Sequence, residues 1–388
     1  MNKIEVLKGT EAFIKQQHLL RYKDSIINKI ETEITSIDWN KTHFRMVIMF
    51  RYLQEKIEDI LVGSPKQLEN IILHIEEHYF ISSHKLRKLI NLRKEFKIKA
   101  ASLELTQFLR ENRLANHLGR SQFNLIKEFN EAMSVHIIKQ NIYYLSGEEI
   151  DVLTCLQKIF DYEDFYIDQT LNNGQLWGAY EYLKQLNFNI CPYCDRQFVY
   201  TFNTGNKKVR AELDHFYPKS IYPYLALSIL NLVPSCHQCN SSLKGKIDPF
   251  DFKIIHPFIL GFDDNVSIEI DTKDLDALKG LNTNFELDFT IQTPDIDLAN
   301  QLKNSIDLFA LNENYIAHKL HIQNLIRKAS IYTDKMLQDI SNILSTPSET
   351  YSKEELRKIT FPEYEIKDRQ GKHVLTKLDY DIVKKYTE

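Results

Sequence analysis

Over its first 188 residues the chain places apolar side chains at helical intervals. Ser64-Pro65 reads as a helix start, a capping hydroxyl followed by proline in the first turn. Leu68, Ile71, Ile72, Ile75 and Tyr79 then recur three and four residues apart. After Ser82 and Ser83 a second helix carries Leu86, Leu89, Ile90 and Phe96, and a third aligns Phe123, Ile126, Met133 and Ile137. Polar residues fill the other faces, so these helices must pack on one another or on a partner. Near residue 189 the period changes. RQFVYTF, Arg196 to Phe202, alternates as a strand does; NTGNKK is a turn; VRAELDHF returns, which predicts a β-hairpin. Farther on, VSIEID and NFELDFTIQT alternate again, and Ile316, Leu320, Leu325, Ile326, Ala329, Met336, Leu337 and Ile340 return to helical spacing. The predicted fold class is α+β: a helical domain over 1–188, a small strand-rich unit over 189–260, and a strand-then-helix extension over 261–388.

Composition changes this picture little. With 43% hydrophobic and 26% charged residues the chain is globular in make-up. The longest apolar-looking run, Tyr222 to Val233, is broken by Pro223, Ser228 and Asn231 and is too short to span a bilayer. The start lacks a secretory pattern, so the expectation is a cytoplasmic protein without a membrane anchor. The net charge of -4 does not announce a nucleic-acid binder, so any such surface must be local. Two basic regions qualify. From His84 to Lys99 seven bases face the single acid Glu95; the reading is a solvated helix face or a phosphate-tracking surface. Between 191 and 246 seven bases oppose three acids. Residues 261–299 are the opposite, with ten acids against Lys273 and Lys279: a poor place for DNA, read first as a solvated acidic surface and otherwise as a platform for packing or a basic partner.

The five cysteines sharpen the middle unit. Cys155 sits alone in an apolar stretch and reads as a core thiol. Cys191/Cys194 and Cys236/Cys239 form two CxxC pairs, each turning two thiols toward one point. Together they supply the four soft ligands of a closed, tetrahedral and therefore structural Zn2+ site. His237 lies inside the second pair, where four thiols already suffice, and is expected to be exposed.

Between the pairs stands ELDHFYPKS, then NLVPSCHQCNSSLKGK. Asp214-His215 on a strand, Asn231 nine residues before Asn240, and flanking CxxC pairs resemble the HNH endonuclease family with its ββα-metal fold. The family's final His is replaced here by Asn240. The resemblance implies that His215 is the general base, its ordinary pKa lying near working pH. It implies that Asp214 and Asn240 offer hard oxygens to Mg2+ or Mn2+, and that Asn231 holds the loop carrying His215. Lys219, Lys244 and Lys246 are candidate phosphate contacts. His256, downstream, reads as structural.

More narrowly, the stretch resembles bacterial HNH proteins that serve as the nuclease subunit beside an ATPase in Septu-type anti-phage systems. That implies a partner ATPase. A single ββα unit makes one cut, so double-strand cutting would call for a homo-oligomer or for repeated action. The expected activity is therefore metal-dependent cleavage of nucleic acid, with DNA the expected substrate. Two alternatives stay open. One is a non-catalytic zinc-stabilised module that binds nucleic acid or protein. The other is a toxin-like RNase, since the motif shows no contact to a 2′-OH.

Overall fold

The computed structural model describes residues 1–36, 44–78, 152–346, 350–364 and 371–387. The basic run 84–99 and the helices read over 86–96 and 123–137 lie outside the described residues. The chain divides into two interleaved compact units, one of Met1–Ile14, Leu176–Phe216 and Leu232–Glu388, the other of Lys15–Gln175 and Tyr217–Asn231.

The second unit is mainly helical where it is described. Its helices are α1 (Lys8–Ser36), which begins in the other unit, α2 (Phe44–Glu55), α3 (Ile57–Val62), α4 (Pro65–His78) and α5 (Val152–Ile159). At α4 the Ser64 hydroxyl accepts from the Gln67 amide at 3.4 Å and the Gln67 side chain reaches back to the Ser64 N–H at 2.9 Å. This reciprocal cap starts the helix at the proline. Leu68, Ile71, Ile72 and Ile75 are buried as their spacing predicts, and so is Cys155. The segment 217–231 folds onto this unit. Within it, Asn231 is fully buried: its Oδ1 accepts from the Tyr217 N–H at 2.7 Å, and its Nδ2 donates to the Tyr217 and Leu225 carbonyls at 3.1 Å each. One side chain thus ties both ends of the segment, satisfying backbone groups that water cannot reach.

In the first unit α6 (Ala179–Leu186) precedes three two-stranded antiparallel sheets. β1 (Phe202–Asn203) pairs with β2 (Lys208–Val209), β3 (Glu212–His215) with β4 (Leu232–Ser235), and β5 (Val266–Thr272) with β6 (Phe285–Ile291). The acidic strands β5 and β6 alternate buried and exposed residues as predicted, with Ile268, Ile270, Leu287 and Phe289 inward. Helices α7 (Ile296–Leu308), α8 (Leu311–Ile316), α9 (Lys319–Ile331), α10 (Asp334–Leu344), α11 (Lys353–Thr360) and α12 (Thr376–Thr387) follow. Leu325, Ile326, Ala329 and Leu337 enter the core. Ile316, Leu320 and Met336, placed by spacing on the same apolar pattern, are exposed, because the chain is broken here into short helices whose faces do not align.

The predicted hairpin is corrected. Only its tip pairs, Phe202 with Val209 and Asn203 with Lys208, around Gly205 at φ 82°. The strand carrying Asp214 and His215 pairs instead with β4, Leu213 opposite Pro234 and Asp214 opposite Val233. Burial decides this. All four residues of β4 are buried, whereas Phe198, Tyr200 and Phe202 of the expected partner are 48, 53 and 45% exposed.

Candidate active site and zinc centre

The four sulfur atoms of Cys191, Cys194, Cys236 and Cys239 lie within 4.8 Å of one another, all buried. The first pair sits in a turn closed by the Asp195 N–H on the Cys191 carbonyl at 2.9 Å, with Asp195 at φ 52°. In the second, the Cys239 N–H points at the Cys236 sulfur at 3.5 Å. Two knuckles that converge, with backbone N–H directed at sulfur, are the donor set a tetrahedral Zn2+ requires. The Tyr315 hydroxyl donates to the Cys194 carbonyl at 3.0 Å, anchoring the first knuckle from α8. His237 is exposed, as expected.

The second knuckle leads directly into a wide helix, Gln238–Lys244, closed by the Gly245 N–H on the Asn240 carbonyl. Such i→i+5 turns are rare and often mark functional sites. This helix lies against β3, and β3, β4 and the helix are the ββα order expected of the motif. Glu212 and Asp214, two apart on the strand, share the face toward it. The Asn240 Nδ2 donates to Glu212 Oε2 at 2.8 Å and the Ser241 hydroxyl to the same oxygen at 3.4 Å. Glu212 Oε1 meets His237 Nδ1 at 2.7 Å.

Asp214 is 3% exposed and uses both oxygens. Lys244 Nζ donates to Oδ1 at 2.9 Å and the Tyr193 hydroxyl to Oδ2 at 2.5 Å. Burial, and then the adjacent Asp214 carboxylate, hold the Tyr193 phenol well above its ordinary pKa, so it stays a donor. Lys244 Nζ also donates to the His215 carbonyl at 2.9 Å, bracing the strand end that carries the imidazole. His215 itself is half-buried. His256 packs its ring on Phe216 at 4.0 Å, and burial, then the charge of Lys244, lower its pKa to about 3. It is a neutral core histidine.

The three lysines fare differently. Lys244, expected as a phosphate contact, is corrected: its side chain is 0% exposed and neutralises Asp214. Lys246 is exposed and open to a phosphate. Lys219, in the second unit with Asn231, sits over the Tyr162 ring at 4.6 Å and pairs with Glu163 at 3.3 Å. Sequence reasoning missed Glu212 and Tyr193. Glu212 had a signal, since residues two apart on a strand share a face. Tyr193 had none, because its reach to Asp214 is set only by the zinc turn.

Residues 191–246 match the family model described as HNH endonuclease. This segment is an HNH endonuclease domain. A Septu protein PtuB of Bacillus thuringiensis is 32% identical over 107 residues, covering 26% of this chain and 38% of that protein. Protein ea31 of Escherichia phage lambda is 37% identical over 71 residues, 18% of this chain and 21% of that protein. The chain thus aligns with well under half the length of either relative. No solved structure matches. Among the described residues no helix is long and apolar enough to cross a membrane.

Proposed function

We propose that the chain is a metal-dependent HNH endonuclease that hydrolyses phosphodiester bonds, with DNA as substrate, and acts in the cytoplasm in anti-phage defence. The observation that carries this reading is the ββα arrangement, with Asp214-His215 braced on β3 against the helix bearing Asn240. His215 takes the proton from the attacking water. Asp214 and Asn240, with the neighbouring Glu212 carboxylate, are the hard oxygens that suit Mg2+ or Mn2+. When bound, that ion supplies positive charge against the developing negative charge on the phosphate. Lys246 adds an exposed cation for the phosphate backbone. Asn231 fixes the backbone at Tyr217, two residues after His215 in the chain. The likeness to the Septu protein supports the defence role and a partner ATPase, and cutting both strands with one such unit takes two copies or two successive cuts.

One observation favours the second reading, a zinc-stabilised binding module. Asp214 already has both oxygens engaged. Supercoiled-plasmid cleavage in Mg2+ or Mn2+, wild type beside His215→Ala, is the test: metal-dependent cutting lost in the variant establishes the nuclease, whereas cutting by neither leaves a binding module or a nuclease that needs its partner.

A further inference from the structure

The segment rejected as partner of β3 has a distinctive surface. Phe198, Tyr200 and Phe202 alternate along an extended stretch, each 45 to 53% exposed, while Val199 between them is buried. Phe198 and Tyr200 stack with centroids 4.9 Å apart and planes 9° from parallel. Val209, opposite Phe202 in β2, is also 45% exposed. Isolated exposed apolar residues are ordinary, but a contiguous row of three aromatics on one face is not. The row is held in place: the Val199 N–H bonds to the Asn189 carbonyl at 2.8 Å, and the Cys191 N–H to the Gln197 carbonyl at 2.8 Å, tying it to the first zinc knuckle.

Its charge is one-sided. From Arg196 to Ala211 there are four bases and no acid. Arg196 is engaged with Gln238 and Asn314. Lys207 and Lys208 are exposed at the hairpin tip, and Arg210 lies half-buried over the Tyr180 ring. Rigid aromatics flanked by cations suit unpaired bases, which stack while their phosphates meet the lysines. A duplex offers no base faces to such a row, and a basic partner protein would be repelled by it.

We infer that the hairpin face of Phe198, Tyr200 and Phe202, rimmed by Lys207 and Lys208, is a stacking platform for a single strand of nucleic acid. This rests on the nuclease reading and narrows its substrate to nucleic acid with unpaired bases next to the cut. The test is fluorescence anisotropy with a labelled 15-nucleotide dT strand and a labelled blunt duplex. The protein carries His215→Ala to prevent cutting and is compared with the same chain bearing Phe198→Ala and Tyr200→Ala. Stacking predicts a loss of dT affinity of about 5- to 150-fold with duplex affinity changed little, zinc content and melting being unaltered. Separately, Lys207→Ala with Lys208→Ala should lower the salt slope for dT by about 1.4. Unchanged dT affinity in the aromatic variant overturns the inference, as does an equal loss on strand and duplex, or no dT binding by the parent. Unchanged dT affinity with a dimer turned monomer would assign the face to a protein partner instead. If the wild type cuts nothing yet the aromatic variant loses dT selectively, the platform stands without support from the nuclease reading.

Discussion

Replacing Lys244 with methionine keeps the length of the side chain and removes its charge. In the folded chain Lys244 Nζ holds Asp214 Oδ1 and the His215 carbonyl, each at 2.9 Å, with both side chains of the ion pair within 3% of full burial. Without it, a buried carboxylate keeps only the Tyr193 hydroxyl. Breaking one side of a buried pair costs about 3 to 5 kcal/mol, because the remaining charge is stranded. At an m-value of about 2 kcal/mol/M, the urea midpoint of this unit falls by about 2 M. Adding Asp214→Asn removes the stranded charge and should return about half or more of the loss, an interaction energy of about 2 kcal/mol in a double-mutant cycle. Urea unfolding followed by tyrosine fluorescence, in zinc-replete buffer, measures all four corners. A loss below about 1 kcal/mol in the single variant, or strict additivity in the cycle, would refute the reading of Lys244 as a structural counter-ion and reopen it as a phosphate contact.

Other outcomes follow from the same geometry. Asn231→Ala removes three buried hydrogen bonds and should cost about 3 kcal/mol by thermal unfolding; a change within about 0.5 kcal/mol, the ordinary scatter of a surface site, would contradict it. Chelating the zinc, or Cys236→Ala, should unfold the 191–246 region, seen as lost near-ultraviolet signal, since such ions contribute about 10 kcal/mol or more to folding. His18 is buried against the Leu227 carbonyl at 2.6 Å and burial lowers its pKa to about 4. The unfolded chain, titrating near 6.5, takes up the proton first, so stability is present above about pH 6.5 and falls by about 3 kcal/mol toward pH 4. His18→Gln should flatten that slope; an identical pH profile counts against the assignment. Glu212→Gln should weaken Mn2+ binding in calorimetry if the half-buried carboxylate shares the ion, whereas binding equal to wild type leaves the ion to Asp214 and Asn240.

How much of this was legible beforehand depended on the range of the signal. The four cysteines were local and chemically specific, and their thiols converge as the two CxxC spacings require. The capped start of α4 and the alternating β5 and β6 were likewise written in nearest neighbours. The pairing of β3 was not. Alternation in RQFVYTF looked like a core strand, but its outward aromatics are solvent-facing, and the true partner LVPS is short and contains proline. Lys244 failed for a related reason. A lysine in a basic, glycine-flanked stretch reads as surface, and only the fold brings it beneath Asp214, where the ion pair offsets its desolvation.

The central claim is that His215, braced on β3, activates water for phosphodiester cleavage. The measurement that tests it most directly is conversion of supercoiled plasmid to nicked or linear form in Mg2+ or Mn2+, for wild type and for His215→Ala of equal zinc content and melting temperature. The account predicts metal-dependent cutting by the wild type and at least about a hundredfold less by the variant, the size expected for loss of a general base. Equal cutting by both proteins would contradict it.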